Sequence, residues 1–492
     1  MVERRELDAM FHPASVAVVG ASANSTSWGG SGFLRRLQKL QFDGPLYPVN
    51  PKAEEVNGLR AYPDVQSIPG PPEFVIVATP APVVPQVLED CIAAGVKNVH
   101  IFSSGFKETG LEEGLKLDRQ ITEIIRRGGL NVIGPNCMGI YVPSSKLAYW
   151  GAEPEGTGSL AIISQSGGHC EMISAYAQRL GVYFSKMISF GNACGLQAVD
   201  LLEYLVEDPE TGIIVMYLEG IRDGGRFTQL VKKVNRIKPV IVWKGGLTEG
   251  GSRAVASHTG SLAGEKKIWD AFYAQTGAVR VSSLEEIVDV ALAFMHLTPP
   301  RGRRTLLIGG GGGNSVAMAD ICGREGLETP RLTEETRREL NTFIRLAGNS
   351  ARNPVDAWML QENVDLFGRA LDLAVADPMI DLVIIDRYIH SFGDENQERQ
   401  RNMDRVSDLI INFARENKYG KPLVLSLNTH LNNPGLASQA AQQWVKFSKA
   451  GVPTYMSQLN ASRALSRFIG YHEFLAGTGD GRDSQHTVAS RR

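Results

Sequence analysis

At 492 residues, with 43% hydrophobic and 21% charged residues and a formal net charge of -2, the chain is too long for one core, and three domains are expected. The slightly acidic total, with basic pairs no longer than Arg303 and Arg304, argues against a nucleic-acid partner, and no apolar stretch reaches signal-peptide or membrane-span length. A cytoplasmic chain with reduced thiols is expected, because Cys91, Cys137, Cys170, Cys194 and Cys322 are scattered and never form a CxxC pair.

The first strand signal is SVAVVG at 15–20, which opens into ASANSTSWGGSGF before a helical segment carrying Leu34, Leu37 and Leu40. Strand, Gly/Ser loop and helix together present backbone N–H groups to a phosphate, although the loop is not a clean GxGxxG. LYPVNPK (46–52), FVIVATPAP (74–82), NVHIFSSGFKE (98–108) and NVIGPNCMG (131–139) follow, alternating with helical patterns at 83–94 and 114–127. That alternation predicts an α/β doubly wound parallel sheet with its loops at the carboxyl ends of the strands. A site lined by Gly20, Ser22, Asn50, Lys52, Thr79, Ser103, Ser104 and Asn136 is expected there; the alternative is that these are turn residues.

A Pro/Gly/Ser-bearing linker at 143–159 leads to a second α/β unit. It begins SLAIISQSGG (159–168), with a helix from about His169 to Leu180, and continues with strands in YFSKMISFG, GIIVMYLEG and PVIVWKGG. The stretch 243–264, WKGGLTEGGSRAVASHTGSLAG, shows no strand or helix period and is read as a Gly/Ser/Thr loop around His258. In that setting His258 is a candidate nucleophile or phosphate carrier, against the alternative of an ordinary solvent-facing histidine. Glu219 ends an apolar strand at the same edge and could hold one ring nitrogen of His258; otherwise it is a capping or surface glutamate.

After a second linker, LTPPRGRR (297–304), TLLIGGGGGNSVAMADICGREGL repeats the strand, glycine loop and helix unit with five consecutive glycines. Strands in DLVIIDRYI and KPLVLSLN and a helix at 436–450 complete a third unit, and the polar residues 477–492 read as a disordered tail.

The ordered set GAS (20–22), NPK (50–52), SSGF (103–106) with Glu108, GPNCMG (134–139), SQSGG (164–168), YLEG (217–220) and SHTGSLAG (257–264) resembles the NDP-forming acyl-CoA synthetases of the succinyl-CoA synthetase superfamily, in particular their ADP-forming acetyl-CoA synthetase α subunits, from about Phe11 to Tyr471. The resemblance implies a Rossmann-like CoA-binding domain (1–145) and two flavodoxin-like ligase domains (155–297 and 303–476). It places the CoA diphosphate at Gly20, Ala21 and Ser22, and the nucleotide end at Asn50, Pro51 and Lys52. The pantetheine arm falls at Thr79, Pro80, Ser103, Ser104, Phe106, Pro135, Asn136 and Cys137.

His258 is the implied phosphohistidine and Glu219 its orienting carboxylate, with Ser166, Gly167, Gly168 and Gly311, Gly312, Gly313 gripping the phosphoryl group. The implied reaction interconverts acyl-CoA, NDP and phosphate with carboxylic acid, CoA and NTP, through acyl phosphate and phosphohistidine. No ATP-grasp domain is visible, so either a separate ATP-grasp β subunit is implied, holding Mg²⁺ with ADP/ATP or GDP/GTP, or the family activity is absent; no metal site is expected on this chain, and a hetero-oligomer or homodimer is. The chain differs from relatives at Trp28 and Gly29, where a basic residue is common, at GNACGLQAVD (191–200), and at His169 and Cys170. Two other readings are a CoA-binding regulatory protein without turnover, which has no use for the His258 and Glu219 pair, and an NAD-dependent dehydrogenase. The latter needs an acidic ribose-binding residue where this chain has Asn50, Pro51 and Lys52.

Overall fold

The computed structural model describes residues 4–22, 29–148, 156–259, 264–345, 348–356, 360, 363–389, 397–429 and 434–478; for residues 4–5, 256–259, 397–400 and 434 it describes the backbone alone. The chain divides into two compact units, one of residues 1–178 and 182–287, the other of 179–181 and 288–492.

After a helix over Arg4–Phe11, the first unit runs through β1 (Val16–Val19) and β2 (Leu46–Val49), a short hairpin of β3 (Glu55–Val56) and β4 (Leu59–Arg60), then β5 (Phe74–Val77), β6 (Asn98–Ile101) and β7 (Asn131–Ile133). Five of these pair in parallel in the order β2-β1-β5-β6-β7. β1, β5 and β6 are buried at every position. That is the signature of a sheet covered by helices on both faces, and it explains why these strands read as unbroken apolar runs. The chain order reverses between β1 and β5, which creates the crevice where doubly wound sheets take ligands.

The second sheet of this unit contains β8 (Gly139–Tyr141), β9 (Leu160–Ser164), β10 (Phe184–Ser189), β11 (Ile213–Leu218), β12 (Val240–Lys244) and β13 (Val279–Val281), in the order β13-β12-β11-β9-β10-β8. All pairs are parallel except β8 with β10. β8 follows directly from the GPNCMG loop of the first sheet, so one covalent segment belongs to both. A single apolar core accordingly runs from Phe11, Phe33 and Phe74 to Ile163, Met216 and Phe272. The order reverses at β9 and β11, bringing SQSGG and YLEG to neighbouring strand ends.

In the second unit, β14 (Thr305–Gly309), β15 (Ser350–Ala351), β16 (Val355–Asp356), β17 (Leu382–Ile389), β18 (Leu423–Thr429) and β19 (Thr454–Tyr455) form a sheet ordered β15-β16-β14-β17-β18-β19. It is parallel apart from β15, and it has its own core around Leu306, Phe367 and Phe447. The chain is thus α/β, with a Rossmann-like sheet and two further doubly wound, mainly parallel sheets.

The stretch 243–264 departs from the sequence expectation. Instead of an aperiodic loop, it finishes β12 and then forms a helix over Glu249–Thr259. Thr248 starts this helix, its hydroxyl accepting from Gly251 N at 3.1 Å and its carbonyl from Ser252 N at 2.7 Å, while Glu249 places negative charge in the first turn. Two glycines at its start conceal the period. The last helix runs over Gln458–Gly477, and the expected tail beyond 478 lies outside the described residues.

Candidate active site

A cavity of about 550 Å³ sits where the two sheets of the first unit meet. Its walls come from residues 78–80 after β5, 102–104 after β6, 136–138 after β7, 165–168 after β9 and 191–192 after β10. Four of these segments were legible as strand-end loops. Gly191 and Asn192 were legible only as a departure from the relatives' pattern.

The first sheet's loops are stitched to one another. Ser103 Oγ donates to Thr79 O, and Asn136 N donates to Ser103 O at 2.9 Å. Glu108 accepts from Gly105 N at 2.6 Å and Phe106 N at 3.0 Å, and from Asn192 Nδ2; these bonds hold its carboxyl below the usual range despite the opposing effect of burial. Lys107 Nζ donates to Asn192 O at 2.7 Å, and Asn192 N and Cys194 N each donate at 3.0 Å to the carbonyls of Pro135 and Gly134. The 191–194 turn is therefore clamped over the GPNC loop. Gly191, at φ 51°, is required there, since a Cβ would lie 2.4 Å from both Pro135 O and Asn136 O. Beneath the loop, buried His100 meets Cys137 O at 3.3 Å and packs its ring on Gly139; burial pulls its pKa down to about 4, so it stands neutral.

Thr79, Pro80, Ser103, Ser104, Asn136 and Cys137 line the cavity, whereas the Phe106 ring is fully buried in the first sheet's core. Thr79 Oγ1 is buried with no hydrogen-bond partner among the described residues. Burial pushes the Cys137 thiol up, which keeps it an inert wall. Gly20, Ala21, Ser22, Asn50, Pro51 and Lys52 lie at the ends of β1 and β2, outside that lining. Asn50 Nδ2 donates to Ala21 O at 2.8 Å, Lys52 N donates to Asn50 Oδ1 at 2.9 Å, and Ser22 is tied to Ser31 Oγ. Pro51 and Lys52 are exposed. Gly20, at φ 91°, lets the loop pass Ala78 O, which a Cβ would approach to 2.5 Å.

At the second sheet, Ser164 Oγ accepts from Ser166 N at 3.1 Å and donates to Ser166 O at 2.7 Å, shaping the turn into the helix Gly167–Arg179. That helix N-terminus carries Ser166, Gly167 and Gly168 to the cavity wall with its partial positive charge. Gln165 lines the same wall, and its Oε1 accepts from both Glu219 N and Gly220 N. Glu219 itself is buried, with Tyr217 OH at 3.3 Å from its Oε1. Sequence reasoning missed Lys244. It ends β12 as Glu219 ends its own strand, and its buried Nζ donates to the carbonyls of Glu219, at 2.9 Å, and Gly245. Burial lowers its pKa to about 8, against the opposing pull of Glu219's charge. The signal was available: a charge terminating PVIVW.

His258 lies in the last turn of the helix Glu249–Thr259, which follows β12 at this edge; its side chain, and so the expected bond to Glu219, lies outside the described residues. In the second unit the glycine run leaves β14 with Gly309 at φ 129° and Gly312 at φ 51°, then enters the helix Gly313–Arg324. The Gly312 N–H donates to Asp356 Oδ2 at 2.7 Å. Asn314 and Asn428 hold buried Asp386 at 2.8 and 2.7 Å, and burial raises its pKa to about 6. Neither aspartate was expected from the sequence, although Asp386 interrupts an apolar strand and Asp356 ends a short one. Among the described residues no group of three His, Cys, Asp or Glu is placed to hold a metal ion, and no helix is long and apolar enough to cross a membrane.

Residues 14–143 match the family described as CoA binding domain, and 157–294 match the succinyl-CoA ligase like flavodoxin domain. The chain is 36% identical to the acetate–CoA ligase (ADP-forming) II subunit alpha of Pyrococcus furiosus, covering 91% of this chain and 94% of that protein. With the corresponding I subunit alpha of the same organism it shares 34% identity over 96% and 98% of the two chains. Among solved structures it is similar to a dinucleotide forming acetyl-coenzyme A synthetase 1 of Ca. Korarchaeum cryptofilum in complex with phosphate and ADP. There the TM-score is 0.81 at 30% identity, over 95% of this chain and 97% of that one. With a CoA-binding fold and a glycine-rich helix N-terminus opening on one cavity, and with such relatives along almost its whole length, the chain belongs to the NDP-forming acyl-CoA synthetase family.

Proposed function

We propose that this chain is the α subunit of an ADP-forming acyl-CoA synthetase, an acid-thiol ligase acting with a separate ATP-grasp subunit that binds the nucleotide and Mg²⁺. The observation that carries this reading is the shared cavity: loops of the CoA-binding sheet and the helix N-terminus at 166–168 face the same space. A thioester delivered along the Thr79, Ser103 and Asn136 loops arrives where an anion is stabilised. The distance between two half-sites is then no obstacle to reaction.

In the direction of ATP formation, a phosphate oxygen attacks the thioester carbonyl carbon and the C–S bond breaks, releasing CoA as thiolate. A ring nitrogen of His258 then attacks phosphorus in the acyl phosphate; the P–O bond to the acyl oxygen breaks and the carboxylate departs. Glu219 holds the imidazole in its nucleophilic tautomer, and the phosphohistidine transfers its phosphoryl group to the terminal oxygen of ADP on the partner. Backbone N–H groups and helix ends suit this chemistry, since phosphoryl transfer needs positioning and charge neutralisation above all. Within the first domain, Gly20 to Ser22 and Asn50 to Lys52 receive the diphosphate and nucleotide end of CoA, beyond the cavity. In the second unit, Gly311 to Gly313 form an anion-binding loop ahead of the helix Gly313–Arg324.

The test is phosphorylation of the chain in the presence of an ATP-grasp subunit, Mg²⁺ and γ-labelled ATP. Acid-labile, base-stable label is expected on the parent and none on His258→Ala. A subunit pair that associates and binds CoA yet never takes label would sink the synthetase reading in favour of a CoA-binding regulator.

A further inference from the structure

We propose that Gln165 is a phosphate-binding residue of this cavity, its side-chain amide nitrogen donating to the phosphoryl oxygens while its amide oxygen anchors the Glu219 turn. The inference rests on the synthetase reading for its place in the reaction, but it stands on the geometry of the residue. Glu219 N and Gly220 N both donate to the same side-chain atom, at 3.0 Å from Gly220. A main-chain N–H can only donate, and an amide nitrogen has only hydrogens to offer in return. The atom facing the turn is therefore the oxygen, and the orientation of the amide is forced by its partners.

Nε2 must then lie on the other side of the amide. It has no hydrogen-bond partner among the described protein residues, and Gln165 lines the cavity beside Ser166, Gly167 and Gly168. The residue has little freedom to turn away. Its own N–H is tied to Tyr217 O at 3.1 Å, and the next residue is clamped on both its N–H and its carbonyl by Ser164 Oγ. Two N–H bonds are thus aimed, without reorganisation, at the place where a helix N-terminus favours negative charge. A neutral donor also suits a phosphoryl group that must be held for one step and released for the next. Because the same amide grips the turn carrying Glu219, it couples the position of the phosphate to that of the carboxylate.

The experiment measures binding of labelled inorganic phosphate to the full chain by equilibrium dialysis, with CoA binding measured in parallel, for the parent, Gln165→Glu and Gln165→Met. Gln165→Glu preserves the shape and an acceptor for Glu219 N and Gly220 N, but turns an anionic oxygen towards the phosphate; Gln165→Met removes the donor without adding charge. Phosphate affinity is expected to fall about 10- to 100-fold, more in Gln165→Glu than in Gln165→Met, with CoA affinity held within about twofold. Undiminished phosphate binding in Gln165→Glu, or no phosphate binding by the parent, overturns the assignment. A parallel loss of CoA affinity in both variants overturns it too, because that is the outcome of a structural role. If the parent binds phosphate through Gln165 and yet His258 takes no label from acyl-CoA and phosphate, the synthetase reading fails and the Gln165 assignment survives.

Discussion

His100 and Lys244 are bases of different strength that the fold holds in surroundings favouring their neutral forms. Burial lowers His100 from 6.5 to about 4 and Lys244 from 10.5 to about 8. In each window the unfolded chain binds more protons than the folded one, so stability rises with pH across it. For His100 the contribution is present above 6.5 and is lost as pH falls towards 4, by about 3 kcal/mol for a shift of this size. For Lys244 the cost of burial present below pH 8 is relieved as pH rises to 10.5. Urea midpoints measured from pH 4 to 7 should therefore show a slope that flattens in His100→Asn. Those from pH 8 to 10.5 should show one that flattens in Lys244→Met. Unchanged slopes would mean that these side chains titrate as they do in water.

Among the elements, the turn at 191–194 and the helix 249–259 show how short segments set the site. The turn adds Asn192 to the cavity wall and brings main-chain donors to the GPNC loop, and its closeness depends on Gly191 having no side chain. Gly191→Ala combines overlap with two carbonyl oxygens and a left-handed backbone, so a loss of about 2 to 4 kcal/mol in unfolding free energy is expected. CoA affinity should fall with it, which calorimetry can measure; a stable variant with full affinity would show that the clamp is dispensable. The helix at 249–259 places His258 one helical segment beyond Lys244, whose ammonium ties the root of that segment, at Gly245, to the turn of Glu219. The carboxylate and the chain that carries the histidine thus share one anchor.

Taken whole, the first unit is a CoA-binding sheet and a ligase sheet sharing one core, and the ligase sheet buries an ion pair of its own. Lys186, fully buried, pairs with Asp208 and Glu210, each at 2.8 Å. Removing the lysine would strand a buried carboxylate. Lys186→Met should cost about 3 to 5 kcal/mol in unfolding free energy, far more than breaking a solvent-exposed pair such as Arg126 and Glu123. Ligand binding draws on the same unit. At CoA concentrations about a hundred times Kd, linkage adds about 2.7 kcal/mol. Hydrogen exchange should show the added protection in the loops at 79–80, 103–104, 136–138 and 191–192. Protection that appears elsewhere and bypasses these loops would place CoA at another site.

The long buried strands, the order of the glycine loops and the family were legible in the residues alone, because a buried parallel strand is a continuous apolar run and a tight loop into a helix N-terminus favours glycine and serine. Glu219 and His258 stood out there as candidates, because a carboxylate and an imidazole are conspicuous against such runs. It took the folded chain to show that β8 leaves the first sheet for the second, that Gly191 and Asn192 close the cavity, and that Phe106 turns into the core while Lys244 braces the Glu219 turn. It alone oriented Gln165. Such facts depend on which atoms of distant segments meet, and pairing across 50 or more positions, as between Gln165 and Glu219, leaves no period in a single chain to read.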